Sequence, residues 1–357
     1  AVYTVTEEAS EPAGAPARQV GPVHHCPYAQ RERSPEGLEN EYLRLDLDPI
    51  NGGILRLTEK ASGVAVLDET CPSAILDYAI ERPHGMSSWH VDHTGPGKAP
   101  VVTHIRRTAT GPYKASIDVD LRVAESEFTL TYELRMGDPN LYVSLRGTWF
   151  QRGNPAMGIP VLNLRLNTAL DRCRATYDIP FGAIERQTVA GEEVPALQWA
   201  DLNGTLGGVQ AGIALINDSK HGYSLNGSTL ALTLIRASYD PDPLPEIGQH
   251  DMRFAIRPHT GRPPTHDLIR AADAFNRPLR IMGTDIHEGS LPLGGSFAGI
   301  DAGTAVLCGL KMAEDSDAVV LRFFNPEDTD TTVEVTLAPT AAEGEMTWQA
   351  LDLMERP

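Results

Sequence analysis

Four side chains that could bind a metal ion lie close together in the sequence: His84, His90, Asp92 and His93. A zinc site needs three or four nitrogen, oxygen or sulfur ligands that converge on one point. In an extended strand His90 and Asp92 would share one face, whereas His93 would point to the other. Because the spacing matches no zinc signature, we favour a solvated loop and predict no metal site in this chain.

The four cysteines, Cys26, Cys71, Cys173 and Cys308, lie far apart, and none forms a C-x-x-C pair. This spacing argues against a cysteine-based zinc site and against a disulfide scaffold. We expect buried or incidental thiols in a reducing compartment, which points to the cytoplasm. The chain also has no Gly-x-Ser-x-Gly, Gly-x-Gly-x-x-Gly or Walker sequence, so neither a serine hydrolase of that class nor a nucleotide-binding protein is indicated.

Most segments between the turns alternate between apolar and polar residues, which is typical of half-buried β-strands. Leucines occupy every second position of residues 42–48, and the alternation resumes in residues 54–58 after an Asn-Gly-Gly turn. Further strands are predicted at 115–123, 128–134, 141–145, 161–166, 212–216, 229–235, 251–256, 305–311, 318–324 and 332–337. We expect the following side chains to face the core: Leu43, Leu45, Leu47, Ile54, Leu130, Tyr132 and Leu134.

Helical spacing is clear only in residues 264–276, where Thr265 is the predicted N-cap. The sequence therefore predicts an all-β fold, with a large antiparallel β-sandwich at 36–276 and a smaller β-sandwich domain at 277–357. Residues 1–35 lack periodicity, which predicts a linker or tail. This segment could include one strand that closes the segment just before the sandwich.

The charge balance excludes some classes of partner. The 357 residues include 30 Lys and Arg against 48 Asp and Glu, a formal net charge of −18. A field of this sign repels phosphate backbones and anionic lipid, so we expect neither nucleic acid nor a membrane as a partner. No apolar run reaches the roughly 18 residues of a membrane-spanning helix.

Several stretches together carry a resemblance to a known family. They are residues 38–45 (LENEYLRL), 177–186 (YDIPFGAIER), 214–223 (ALINDSKHGY), 234–243 (LIRASYDPDP), 248–259 and 287–292. In their order and spacing, from about residue 36 onward, they resemble the C-terminal half of glycoside hydrolase family 38, the α-mannosidases. The chain departs from the family's usual residues at 87–90 and 147–151, which indicates a divergent branch.

The resemblance implies a galactose-mutarotase-like sandwich that lacks the family's N-terminal catalytic domain. That domain would hold the zinc ion and the nucleophile, so we expect no catalytic residue and no cofactor in this chain, and the chain alone is expected to be inactive. Its role would be structural support and one part of the substrate-cleft wall. The implied partners are an α-mannoside carbohydrate and the catalytic domain of the same protein. The resemblance leaves open whether the chain also forms a homo-oligomer.

The candidate substrate-binding residues are Arg236, Tyr239, Asp240, His250 and Trp89. The first four belong to a stiff, proline-rich loop that the resemblance places against the sugar site, and the tryptophan could stack on a pyranose ring. Retaining glycosidases need two carboxylates about 5 Å apart. The acidic residues of this loop are also ordinary turn residues, so we do not expect them to be that pair.

Two other classes of function remain open at this point. The chain could be a free-standing carbohydrate-binding sandwich without catalysis, or a structural interaction domain. An aromatic content of only 6% is low for a dedicated sugar-binding platform. A catalytic domain encoded upstream in the same reading frame would favour the mannosidase, whereas binding of the isolated chain to a glycan array would favour the carbohydrate-binding module.

Overall fold

A computed structural model describes residues 36–92, 94, 97–186, 192–283, 285, 288, 289, 296, 298–337 and 347–356. The chain divides into two compact units, of which the first ends at Arg277 and the second begins at Pro278. The predicted linker at 1–35 lies outside the described residues, as does His93.

The first unit contains eighteen described strands and one helix. The strands are β1 Glu36–Glu39, β2 Leu43–Leu47, β3 Ile54–Glu59, β4 Val64–Ala65, β5 Ile75–Glu81, β6 Val101–Thr110, β7 Lys114–Val123, β8 Ser126–Arg135, β9 Leu141–Trp149, β10 Ile159–Asn167, β11 Asp171–Ile179, β12 Gly182–Arg186, β13 Glu193–Pro195, β14 Trp199–Leu206, β15 Val209–Asn217, β16 Gly222–Asn226, β17 Thr229–Arg236 and β18 Gly248–Thr260. The helix, α1, spans Thr265–Asn276.

These strands form three antiparallel sheets around one core. A nine-stranded sheet has the order β12-β11-β14-β15-β18-β9-β8-β7-β6, a five-stranded sheet has the order β13-β16-β17-β10-β5, and β1 to β4 form a smaller sheet. All seven side chains predicted to face inward are at most 2% exposed. The prediction of an all-β fold built on a large antiparallel sandwich is therefore confirmed, because alternation along a strand buries every second side chain.

Five connections between described strands pass from the five-stranded to the nine-stranded sheet, or back, at the same end of the sandwich. They follow β5, β9, β13, β15 and β17. The pairing shows their common location, because Glu81 is opposite Ile159, Arg236 is opposite Val161, and Gly248 is opposite Trp149. We call residues 82–92, 150–158, 196–198, 218–221 and 237–247 the crossover end.

Helix α1 covers part of the outer face of the nine-stranded sheet. Leu268, Ile269, Ala272 and Phe275 form its buried stripe, and it contacts β14 and β15. The predicted N-cap at Thr265 is wrong: Thr265 is the first helical residue and Pro264 precedes it, with no side-chain capping bond. Proline is tolerated at this position because the residue before a helix donates no intrahelical hydrogen bond, and proline has no N–H to satisfy.

The expectation that the cysteines are free thiols is wrong for Cys71, which is disulfide-bonded. Cys173 is a free, half-buried thiol. Sequence spacing could not reveal the bond, because a disulfide requires only that two Cα atoms lie within about 7 Å in the folded chain. Because disulfides are rare in reducing compartments, the cysteines of this chain do not support a cytoplasmic location.

The second unit contains two described pairs of antiparallel strands. Strand β19 (Ala298–Asp301) pairs with β22 (Glu334–Leu337), and β20 (Val306–Met312) pairs with β21 (Val319–Phe324). In neither unit do the described residues include a helix that is both long and apolar enough to cross a membrane.

Candidate functional site

An ion pair between Glu81 and Arg236 organises the crossover end. Glu81 ends β5 and Arg236 ends β17, on the two sides of β10. Nε of Arg236 donates to Oε2 of Glu81 at 2.8 Å, and Nη2 donates to Oε1 at 2.9 Å. The Glu81 carboxylate is fully buried and 15% of the Arg236 side chain is exposed, so the pair is bidentate and largely removed from water.

Glu81 accepts two further hydrogen bonds from the loop that follows it. The ring nitrogen Nε2 of His84 lies 2.8 Å from Oε1, and the backbone N–H of Asp92 donates to the same oxygen at 2.7 Å. Burial by itself would raise the pKa of Glu81, but the bonds from Arg236, Asp92 and His84 outweigh it and lower the pKa. The carboxylate is therefore ionised at neutral pH.

His84 is held between two acceptors. Its Nε2 faces Glu81, and its Nδ1 lies 2.9 Å from the carbonyl oxygen of Gly85. A neutral imidazole can donate from only one nitrogen, so the protonated ring fits both contacts. The hydrogen bond to Glu81 is the main cause that raises the pKa of His84, and the Gly85 carbonyl adds to it.

Arg236 also holds the backbone of the loop. Nη1 donates to the carbonyl oxygen of Ser87 at 2.6 Å, and Nη2 donates to that of His90 at 2.6 Å. One guanidinium thus joins the start of the loop, through Glu81, to two points further along it. Most N–H groups of Arg236 donate to other groups of this chain. Arg236 therefore affects the exposed surface of the loop by holding the loop in position.

The segment after β17 is bonded to the same loop. The Tyr239 hydroxyl donates to the His84 carbonyl at 2.6 Å and accepts from the His84 N–H at 3.0 Å. Oδ2 of Asp240 accepts from the Met86 N–H at 3.0 Å, and the hydroxyl of Ser87 accepts from the backbone N–H groups of Tyr239 and Asp240. We call residues 82–92 together with 236–240 the clamped loop.

Trp89 lies on the clamped loop with 63% of its surface exposed. Its backbone N–H donates to the Met86 carbonyl at 2.9 Å, which closes a local turn. The structure therefore brings four of the five candidate residues, Arg236, Tyr239, Asp240 and Trp89, into one bonded unit, in which the indole faces solvent.

The fifth candidate, His250, belongs to another set of contacts at the crossover end. It lies near the start of β18, and its Nε2 is 2.8 Å from the carbonyl oxygen of Glu246. Burial raises the pKa of Glu246, against the opposing charges of Lys220 and His250. Burial likewise lowers the pKa of Lys220. Lys220 and Glu246 are thus half-buried charged residues on two connections, and His250 lies on β18 against the Glu246 backbone.

The metal-ligating side chains noted in the sequence do not assemble into a metal site in the part of the chain that the structure describes. No group of three or more His, Cys, Asp and Glu side chains there could hold an ion. His84 faces Glu81, and Asp92 forms an ion pair with Arg82 at 2.9 Å.

Sequence reasoning missed Glu81 and Ser87, although both hold the clamped loop. The only local signal is a glutamate at the end of a mainly apolar strand, Ile75–Glu81, which also contains the buried Asp77. Its partner is 155 residues away in the sequence. Ser87 lies in residues 87–90, where the sequence departs from the α-mannosidase resemblance, but nothing there indicates its hydrogen bonds, because a serine in a loop is ordinary.

Comparison with known proteins identifies the family. The profile of the glycosyl hydrolases family 38 C-terminal domain matches residues 38–244, and that of the family 38 C-terminal beta sandwich domain matches residues 304–357. Human alpha-mannosidase 2C1 is 27% identical over 335 residues, which cover 90% of this chain and 31% of the human protein. Alpha-mannosidase G of Dictyostelium discoideum is 31% identical over 158 residues, 42% of this chain and 14% of that protein.

A solved structure agrees in fold. A family 38 glycosyl hydrolase from Enterococcus faecalis superposes with a TM-score of 0.69 at 15% identity, over 84% of this chain and 39% of that one. The chain thus spans about a third of the length of the relatives it matches most fully. The residue resemblance noted in the sequence is confirmed: the chain belongs to glycoside hydrolase family 38, as a C-terminal portion with a terminal β-sandwich domain.

Proposed function

We propose that this chain is the C-terminal part of an α-mannosidase and that its crossover end forms one wall of the substrate cleft. The relatives it matches are named alpha-mannosidases, and the match spans 31% of the human protein and 14% of the Dictyostelium protein. The zinc ion and the catalytic carboxylates would then belong to the catalytic domain, and the substrate would be an α-mannoside. This chain would support that domain and shape the cleft.

The observation that carries the proposal is the clamped loop. Residues 82–92 of the clamped loop contain no helix or strand. They are held by the fully buried Glu81 carboxylate and by Arg236, which binds that carboxylate through two hydrogen bonds and also donates to two backbone carbonyls of the loop. A surface that is rigid before it binds loses less entropy on binding. We infer that a loop held in this way provides a binding surface as well as joining two strands.

The exposed groups of the clamped loop suit a sugar. The Trp89 indole offers a flat apolar surface for the apolar face of a pyranose. The Asp240 side chain is exposed and only its Oδ2 is used by the Met86 N–H, so its other oxygen can accept from a sugar hydroxyl. Arg236 and Tyr239 would act by positioning these two groups.

The test uses the protein in which this chain is joined to the family's catalytic domain. Trp89→Ala should lower kcat/KM for an aryl α-mannoside at least about tenfold, or about 1.4 kcal/mol of transition-state stabilisation. Trp348→Ala is the matched control, because Trp348 is 64% exposed in the second unit. Both variants should keep the parent's Tm. Equal kinetics for the two variants would contradict the cleft-wall role.

A further inference from the structure

Large apolar side chains are concentrated on three connections of the crossover end. Six of them are between 42% and 71% exposed, and Trp89 is a seventh. The six are Met86 and Val91 on residues 82–92, Phe150 and Met157 on residues 150–158, and Leu244 and Ile247 on residues 237–247. We call these six the apolar rim. Exposed apolar residues that occur singly need no explanation, whereas a group on neighbouring loops marks a contact surface.

The three connections form one continuous surface because their backbones are in close contact. The α-carbon of Gly153 lies so near the Ala237 carbonyl that a Cβ there would overlap it, and Gly158 is placed in the same way against the Glu81 carbonyl. The clamped loop joins residues 82–92 to 236–240 through side chains. Glycine at 153 and 158 thus permits a loop-to-loop contact that any larger residue would open.

The opposite end of the sandwich differs. Its exposed apolar residues include Tyr113, Met136 and Val209, which lie at or beside the turns that join neighbouring strands of the nine-stranded sheet. Those turns connect adjacent strands and do not cross between sheets. The apolar rim is therefore a property of the crossover end, where a rigid base supports it.

We propose that the apolar rim is the surface through which this chain packs against the catalytic domain of the longer protein. The proposal rests on the proposed function, because it assumes that such a domain exists. About two-thirds of the human relative and of the Enterococcus structure lies outside the match, which leaves ample protein to cover the rim. The partner surface is apolar, and we expect basic side chains at its border opposite the exposed Asp242.

This arrangement separates two tasks at one end of the sandwich. The apolar rim provides the buried centre of an interdomain contact, and the polar residues around it form the border, as in other protein interfaces. Trp89 and Asp240 lie on the same rigid loop and would be carried to the cleft by that contact. The rim would thus fix where the sugar-facing groups stand relative to the catalytic carboxylates.

Methionine oxidation tests the proposal without any substitution. The isolated 357-residue chain and the longer protein are exposed to the same dose of hydroxyl radicals, and oxidation is read by mass spectrometry. Met86 and Met157 should be oxidised at least about fivefold more slowly in the longer protein. Met136, at the opposite end, should react at the same rate in both and serves as the internal control.

A variant pair provides a second measurement. Phe150→Asp should leave the Tm of the isolated chain nearly unchanged, since exposed positions usually alter stability by less than about 0.5 kcal/mol. In the longer protein it should lower the Tm by about 4 °C or more, whereas Tyr113→Asp should lower it in neither. Both readouts depend on packing and neither depends on sugar turnover.

Three results would overturn the docking proposal. The first is equal oxidation of Met86 and Met157 in the two proteins. The second is protection in the isolated chain that grows with concentration, which would assign the apolar rim to a second copy. The third is a reading frame without any upstream catalytic domain, which would end the proposed function as well. If Trp89→Ala lowers kcat/KM as expected but Met86 and Met157 are not protected in the longer protein, the docking proposal is wrong and the proposed function still stands.

Discussion

Replacement of Glu81 by glutamine should release the clamped loop. Four hydrogen bonds converge on this carboxylate, two from Arg236, one from His84 and one from the Asp92 backbone. Glutamine keeps the shape but has one acceptor oxygen and no charge. Arg236 would then be a largely buried cation without its counterion, and breaking a buried pair in this way costs about 3–5 kcal/mol.

The cost should appear first in the loop. Amide hydrogen exchange reports it directly. The backbone N–H groups of His84, Met86 and Asp240 donate to side chains of the clamped loop, and that of Asp92 donates to Glu81 itself. In Glu81→Gln, exchange in peptides from residues 84–92 and 237–242 should accelerate at least about tenfold. Peptides from β8 should stay protected for as long as the sandwich remains folded.

The matched control is Glu133→Gln. Glu133 is also paired with two cations, Arg135 at 2.7 Å and Lys114 at 3.1 Å, but about half of each partner's side chain is exposed. Exposed pairs contribute about 0–1 kcal/mol, so this variant should unfold in urea nearly as the parent does. Equal losses for the two variants, or unchanged exchange in Glu81→Gln, would refute the claim that burial makes the Glu81–Arg236 pair decisive.

A double variant distinguishes the loss of the ion pair from a general loss of stability. Glu81→Gln combined with Arg236→Met removes both charges and fills similar space, so no buried ion is left unpaired. The double variant should be more stable than the sum of the single losses predicts, by about 0.5–3 kcal/mol. Strict additivity would mean that the two side chains do not act as a pair.

Three further predictions concern the core, one buried carboxyl group and the activity of the isolated chain. Leu45→Ala should lower the free energy of unfolding by about 2–5 kcal/mol, because Leu45 is fully buried in the core. Burial raises the pKa of Asp178 to about 6, the Gln198 N–H opposes this rise and Asp273 adds to it. The native state therefore binds the proton more tightly than the unfolded one, and stability falls as pH rises from about 4 to 6. Asp178→Asn should be about 1–3 kcal/mol more stable than the parent in urea at pH 7.5, and this gain should shrink as pH falls below 6; an equal gain at pH 4 would contradict the titration of Asp178. The isolated chain, freed of host enzyme and titrated with divalent metals, should not hydrolyse aryl α-mannosides; metal-dependent turnover that follows the protein peak would contradict this.

Alternation in the sequence was sufficient to predict the strands that have one face on the core and one on solvent. Strand β8 is the clearest case, because Phe128, Leu130, Tyr132 and Leu134 are buried and the residues between them are not. The helix was also predictable, since helix α1 is apolar on a single stripe. In these elements the local pattern and the tertiary environment agree, so a periodic sequence specifies the fold directly.

Strands in other environments could not be recognised in this way. In β14, four successive residues from Trp199 to Leu202 are buried, because the sandwich core lies on one face and helix α1 covers the other. Strand β6 is an edge strand with polar residues on both faces and two irregularities in register. Burial on both faces, or on neither, removes the alternation from which a strand is predicted.

Composition and pattern alone determined the all-β class and the core-facing residues of the regular strands. The family came from the resemblance of particular sequence stretches, and the family profiles confirm it. The candidate site was determined only in part: the residue types at Trp89, Arg236 and Tyr239 could be selected from the sequence, but their partners could not. Glu81 and Arg236 meet across β10 although 155 residues separate them, and an ion pair depends on distance in space, which no local pattern records. The sequence predicted that the Arg236 guanidinium contacts the sugar. Only the folded sandwich shows that it is largely buried beneath a loop, which it holds in place.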